Sequence, residues 1–199
     1  MNRIQAWDSK ILLFLNQFFA KHGLGFLDKF LAEYLTYCLP LILIVLWFWP
    51  VSPTASRGGS KDAKKVALRA LFSAILAWPI FSLIIGKLVD RPRPFDVSGV
   101  QELIFHRPTY SFPSDHAAAL FAVAMSFYFS GYKKMAILML AIALVVSFFR
   151  VATGLHFPTD ILAGAAIGIF AAYLIYLFDR PLDIIYNLIS KVMTKLRLV

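Results

Sequence analysis

Little of this sequence is charged. Charged residues make up 16% of the 199 and apolar residues 60%, whereas soluble domains carry about 25% and about 45–50%. That balance excludes a soluble domain with an ordinary core. Acidic residues are scarcest: 11 Asp and Glu stand against 20 Lys and Arg, for a net charge of +9. One cysteine, Cys38, excludes an internal disulfide; it lies in an apolar stretch and reads as packing. No small-x-small cleavage site follows the first apolar run, and Asp8 and Lys10 come early, so no cleavable signal peptide is expected. Internal repeats and low-complexity segments are missing too. No set of carboxylates, histidines and cysteines has metal-ligand spacing, so neither a metal nor another cofactor is expected.

What is present falls in apolar blocks near the length of a bilayer span, roughly 20 residues. Five run from about Leu27 to Trp49, Val66 to Ile85, Ala117 to Phe129, Met135 to Phe148 and Ile161 to Leu177. The third and fourth are short, so their helices must take in flanking residues. Residues 4–22 hold a shorter run broken by Asn16 and Gln17, which suits an amphipathic helix lying in the interface. The expected fold is therefore all-α: one polytopic transmembrane bundle over residues 1–199, of about five spans plus an N-terminal interfacial helix, with six spans as the alternative. The tail after Arg180 alternates apolar and basic residues and suits the membrane surface. Gly154, Gly164 and Gly168 suit close helix contact.

Most of the positive charge flanks these blocks, which favours orientation in a membrane over nucleic-acid binding; no nucleic-acid partner is expected. Arg57, Lys61, Lys64, Lys65, Lys133, Lys134, Arg180, Lys191, Lys195 and Arg197 share one side by parity, and the positive-inside rule makes it cytoplasmic. Arg69 reads as an arginine snorkelling to that interface. The outward loops, about 86–116 and 149–160, hold Lys87, Arg91, Arg93, Arg107, His116, Arg150, His156 and Asp160. These charges occur in tight motifs that topology alone does not require.

Three motifs converge at outward span ends. They are Lys87 to Phe95, then Ser111-Phe112-Pro113-Ser114-Asp115-His116, then Arg150 with His156 and Asp160. Metal-free phosphoryl transfer needs fixed cations around the phosphoryl oxygens. Arg93 and Arg150 supply planar forks suited to them. His156 is the candidate nucleophile, with Asp160 to orient its ring. His116 is the candidate general acid. Ser114 suits the N-cap of the third span, where its hydroxyl and the free backbone N–H groups would meet the anion. Lys87 reads equally as a substrate contact or an interface anchor. Arg91 reads equally as a second phosphate contact or a partner of Asp90. Asp115 reads first as a helix-start acid, with tuning of His116 as the alternative. His106 and Arg107 read as solvated loop residues.

These segments resemble the signature of the type 2 phosphatidic acid phosphatase family, the lipid phosphate phosphatase superfamily. Its pattern is Lys-x6-Arg-Pro, Pro-Ser-Gly-His and Ser-Arg-x5-His-x3-Asp. The likeness covers about residues 86–160, at Arg93-Pro94, at Pro113-Ser114 with His116, and at Arg150, His156 and Asp160. Gly86 stands where the family has lysine, Asp115 where it has glycine, and Phe149 where it has serine. The missing lysine and the Pro-Ser-Asp-His form are similar to the short bacterial undecaprenyl-diphosphate phosphatases. The resemblance implies hydrolysis of a lipid-linked diphosphate through a phosphohistidine, at the outward face of the bacterial cytoplasmic (inner) membrane. It leaves open a phosphatidylglycerophosphate or broader lipid phosphatase, a lipid phosphotransferase, and a lipid-binding or transport protein. The expected partners are the lipid-linked phosphate and membrane lipids; the sequence does not specify an oligomeric state.

Overall fold

The computed structural model describes residues 3–23, 25–48, 63–96, 99–105 and 109–195. The expectations for Trp49, Arg57, Lys61, His106, Arg107 and Arg197 lie outside them. The described residues are helical, with no strand among them. In chain order the helices are α1 (Arg3–His22), α2 (Phe26–Ala32), α3 (Cys38–Phe48), α4 (Ala63–Ile75), α5 (Leu83–Val89), α6 (Asp115–Phe129), α7 (Lys133–Ala152), α8 (Pro158–Leu177) and α9 (Asp179–Lys195).

Three continuous helical stretches are long and apolar enough to span a membrane: Ala63–Asp96, Lys133–Ala152 and Pro158–Leu177. The first apolar block bends by 47° at Glu33, between α2 and the stretch Tyr34–Phe48 formed by a 3-10 turn at Tyr34–Tyr37 and α3, and the pair makes a fourth span by length and composition. Pro40 lies in the first turn of α3, where a missing N–H is tolerated, so the break falls before it. The second block is also irregular. Between α4 and α5 the chain runs as a π-turn over Leu76–Ser82 with Pro79 inside, so the residue that cannot donate is accommodated by a locally wider helix.

At fifteen residues α6 is the shortest of the apolar blocks. A helix of that length spans roughly 22 Å, less than the ~30 Å hydrocarbon core. It is also the central helix: Ala117 to Ala124 are all buried, against α4, α7 and α8. Large apolar side chains such as Leu144, Leu162 and Phe170 instead point outward from α7 and α8, as lipid-facing residues do.

The closest approach in the bundle positions the site. A Cβ at Gly164 would lie 2.4 Å from the Ser114 carbonyl oxygen, and one at Gly168 2.3 Å from that of Ala118. Without side chains there, α8 lies against the backbone of α6. The start of α6 then meets the start of α8, and the Ser114 N–H donates to the Asp160 carbonyl at 3.0 Å. The helix over Arg3–His22 packs Asp8, Leu12 and Asn16 inward and leaves Trp7, Ile11, Phe14 and Phe18 exposed.

Candidate active site

The end of α5, the start of α6, the end of α7 and the start of α8 meet at one end of the bundle. Arg93, His116, Arg150 and His156 come together there. His156 is buried in the turn between α7 and α8. Its Nε2 lies 3.4 Å from Nη1 of Arg93 and 3.3 Å from Nη2 of Arg150. A guanidinium carries donors and no acceptor, so the nitrogen it faces holds a lone pair. Nδ1 lies 2.8 Å from the Ser111 carbonyl oxygen, which can only accept, so Nδ1 carries the proton. Both contacts select the tautomer whose Nε2 is nucleophilic.

The expected orienting group, Asp160, is close but engaged elsewhere. Its Oδ2 lies 3.7 Å from Nδ1 of His156 and accepts from the Phe157 N–H at 2.8 Å. Phe157 is the N-cap of α8 and Asp160 its third residue, so this bond is half of a capping box. Pro158 occupies the first turn as expected. Oδ1 of Asp160 accepts from Arg91 at 2.7 Å. The geometry thus makes the Ser111 carbonyl the direct hydrogen-bond partner of the ring and Asp160 its nearby negative charge.

The two guanidiniums differ in their supports. Arg93 is held by backbone and hydroxyl: Nε donates to the Thr109 carbonyl at 3.2 Å, Nη1 to the Leu155 carbonyl at 3.0 Å and Nη2 to Thr109 Oγ1 at 2.9 Å. Arg150 is 1% exposed. Its Nη1 faces Nε2 of His116 at 3.4 Å and reaches the Ala32 carbonyl of α2 at 3.5 Å, while Nε has no partner among the described residues. Neither arginine has an ion-pair partner among the described residues. Two buried cations converging on one neutral nitrogen, without a carboxylate bonded to either, call for an anion between them.

Ser114 is the N-cap of α6 and is fully buried. Its Oγ makes no capping bond and has no partner among the described residues. A buried hydroxyl left unmade is costly, so this one also awaits a ligand. Asp115 and His116 form the first turn, and Oδ1 of Asp115 likewise has no partner among the described residues.

Lys87 is exposed on α5. Gly86, at the position of the lysine in the family pattern, explains the absence of a side chain there. A Cβ on it would lie 2.1 Å from Cε2 of Tyr110, so the tyrosine ring fills that space. The carboxylates that Arg91 pairs with do not include Asp90. Arg91 bonds Asp160 and, through Nη2 at 2.7 Å, Asp8 of α1. In the sequence Asp8 served only as an early charge arguing against a cleavable signal peptide. Among the described residues no group of three or more His, Cys, Asp or Glu side chains could hold a metal.

Comparisons with known proteins place this geometry. A family model described as the PAP2 superfamily matches residues 67–182. The chain is 32% identical over 162 residues to a protein named bacitracin transport permease protein BcrC from Bacillus licheniformis, covering 81% of this chain and 74% of that one. It is 28% identical over 190 residues to the undecaprenyl-diphosphatase BcrC of Bacillus subtilis, covering 90% and 93%. The crystal structure of a PAP2-type phosphatidylglycerolphosphate phosphatase from Bacillus subtilis shares the fold. Its TM-score is 0.62 at 24% identity, with 91% of this chain and 88% of that one covered. With a family model spanning more than half its length, the chain belongs to the PAP2 superfamily of membrane phosphatases.

Proposed function

We propose that this lipid phosphatase hydrolyses undecaprenyl diphosphate to undecaprenyl phosphate, through a phosphohistidine on His156, at the outer face of the bacterial cytoplasmic membrane. The observation that carries the reading is the His156 ring: Nδ1 donates to the Ser111 carbonyl while Nε2 sits between two guanidiniums that have no ion-pair partner among the described residues. The terminal phosphoryl group enters that gap with its oxygens on Arg93, Arg150, the Ser114 hydroxyl and the N-terminus of α6. The Nε2 lone pair attacks phosphorus, the bond to the bridging oxygen breaks, and undecaprenyl phosphate leaves with a proton from His116. Water then attacks the phosphohistidine. His116 takes the water proton, the P–N bond breaks, and inorganic phosphate departs. His116 is thereby recharged for the next turnover.

The substrate reading is supported by the relative named undecaprenyl-diphosphatase, which this chain matches over nearly all of its length. The outward orientation follows from the lysines at the opposite end, among them Lys64, Lys65, Lys133 and Lys134 at the starts of α4 and α7. The word permease in another relative's name favours transport. The site favours chemistry, because its polar groups gather at helix ends and not along a path through the bundle.

The test is phosphate release from purified undecaprenyl diphosphate, phosphatidylglycerophosphate and phosphatidic acid, with terminally labelled diphosphate to trap the intermediate. His156→Ala should release no phosphate and carry no label. His116→Ala should slow turnover roughly 10²–10⁴-fold. Because the leaving group is itself a stable phosphate, the water step should suffer more and acid-labile label should accumulate on His156. Preference for phosphatidylglycerophosphate would replace the substrate, and turnover by His156→Ala would remove the nucleophile.

A further inference from the structure

The proposed mechanism leaves a buried polar cluster beside the nucleophile without a task. Asp8 of α1 is 3% exposed, although it sits on a helix whose other face is apolar and open. Its Oδ1 accepts from the Thr159 N–H at 2.9 Å, and its Oδ2 accepts from Nη2 of Arg91 at 2.7 Å and from the Thr159 hydroxyl. Arg91 turns its other nitrogen, Nη1, to Thr159 Oγ1 at 2.8 Å and Asp160 Oδ1 at 2.7 Å. Its guanidinium lies 3.8 Å from the centre of the Phe157 ring. The other oxygen of Asp160 stands 3.7 Å from Nδ1 of His156. Charges therefore alternate along one line: Asp8, Arg91, Asp160, then His156.

The order matters once the ring reacts. A neutral imidazole needs no counter-charge, but a ring that keeps its Nδ1 proton while Nε2 bonds phosphorus becomes cationic. Arg93 and Arg150 face that ring from the other side and cannot stabilise a positive charge. Asp160 can, to the extent that Arg91 does not already neutralise it. Asp8 shares Arg91 and so leaves Asp160 with negative charge to offer.

We infer that Asp8, acting through Arg91, is a positioning residue of the reaction: it divides the charge of Arg91 and so leaves the negative charge of Asp160 less compensated on the side that faces His156. The inference rests on His156 being the nucleophile. It makes the N-terminal helix a part of the catalytic apparatus as well as a packing element.

Asp8→Asn keeps the shape and removes the charge. In the full-length protein in detergent, kcat on undecaprenyl diphosphate should fall roughly tenfold while KM stays within about twofold. The rate at which label appears on His156 in a single turnover should fall by the same factor, and Asp8→Glu should recover part of it. Asn16→Ala is the control for loosening α1. Asn16 is fully buried on the same helix and bonds the Gln101 backbone and the Ala152 carbonyl, away from the charged line. It should keep kcat within about twofold at equal folded fraction. Arg91→Lys, which retains the charge but cannot span both carboxylates, serves if Asp8→Asn fails to fold, and should also lower kcat with KM unmoved. Wild-type kcat in Asp8→Asn or in Arg91→Lys overturns the inference, as does an equal loss in Asn16→Ala. Label on wild-type His156 that appears equally fast in Asp8→Asn overturns this inference alone; no label on the wild type overturns the phosphohistidine and this inference together.

Discussion

The two ends of the bundle both hold buried or half-buried cations, in opposite electrostatic states. At the end where α4 meets α9, Arg69 makes a two-nitrogen ion pair with Asp179, and Lys65 pairs with Asp183. Arg69 is thus a bridge between helices and not the snorkelling residue its place in the sequence suggested. At the other end Arg93 and Arg150 are buried more deeply, yet no carboxylate bonds either of them among the described residues. The residue type is the same; a directly bonded carboxylate among the described residues is what separates Arg69 from Arg93 and Arg150. Burying a cation is costly unless something anionic completes it, and at the second end no described carboxylate does so by a direct bond.

The widest gap should open between Arg150→Gln and Arg69→Gln. Arg150→Gln removes a donor aimed at the transferring phosphoryl group and should lower kcat roughly 10²–10³-fold, while the melting temperature holds or rises. Arg69→Gln strands Asp179 and, because the pair is only partly buried, should destabilise the fold by about 1–3 kcal/mol. Its kcat per folded molecule should be that of the wild type. Phosphate release and thermal unfolding on the same preparations decide it. An Arg69→Gln enzyme with impaired kcat would erase the distinction between the two ends.

Ser114→Ala tests the same end with a smaller change. The orphaned hydroxyl should donate one hydrogen bond to the phosphoryl group, and such a bond is worth about 0.5–1.5 kcal/mol, or up to about tenfold in kcat/KM. Because nothing described bonds the hydroxyl in the absence of substrate, the variant should be no less stable than the wild type. A large fall in melting temperature with unchanged kcat/KM would make Ser114 a structural residue like Arg69.

Much of this was legible in the sequence, because the candidate site groups are side chains at fixed spacing. Arg93, Arg150, His116, His156 and Ser114 all stand at helix ends that motif spacing and span parity bring to one side. What was not legible depends on partners without a local signature. The Ser111 carbonyl that holds Nδ1 of His156 is a backbone group, and any residue type could supply it. Asp8 lies 151 residues from Thr159, so only the packed bundle shows that they meet. Asp160 matched its motif, but its ties to Arg91 and to the cap of α8 emerge only from three-dimensional geometry. The helices went the same way. The places of α7 and α8 followed from apolar runs, with α7 taking in flanking residues as expected, whereas the break before Pro40 and the π-turn around Pro79 are backbone responses that composition does not announce.

The smallest effect tests the space where the family pattern has a lysine. Thr109 holds Arg93, Ser111 holds His156, and Tyr110 between them lays its ring over Gly86. The ring therefore anchors the segment that fixes both groups. Gly86→Ala would set a methyl 2.1 Å from Cε2 of Tyr110, so the ring must move and its neighbours with it. Overpacking of this kind costs about 1–3 kcal/mol, and a kcat loss of a few-fold is expected. Tyr110→Ala alone should give a similar loss by freeing the segment. Adding Gly86→Ala to it should then cost nothing more, because the clash has gone, and a double-mutant cycle reads that coupling directly. Additive losses would mean that Gly86 is small for a reason on its own helix. In that case the tyrosine would be a neighbour of the site and not the anchor that replaces a charge with packing.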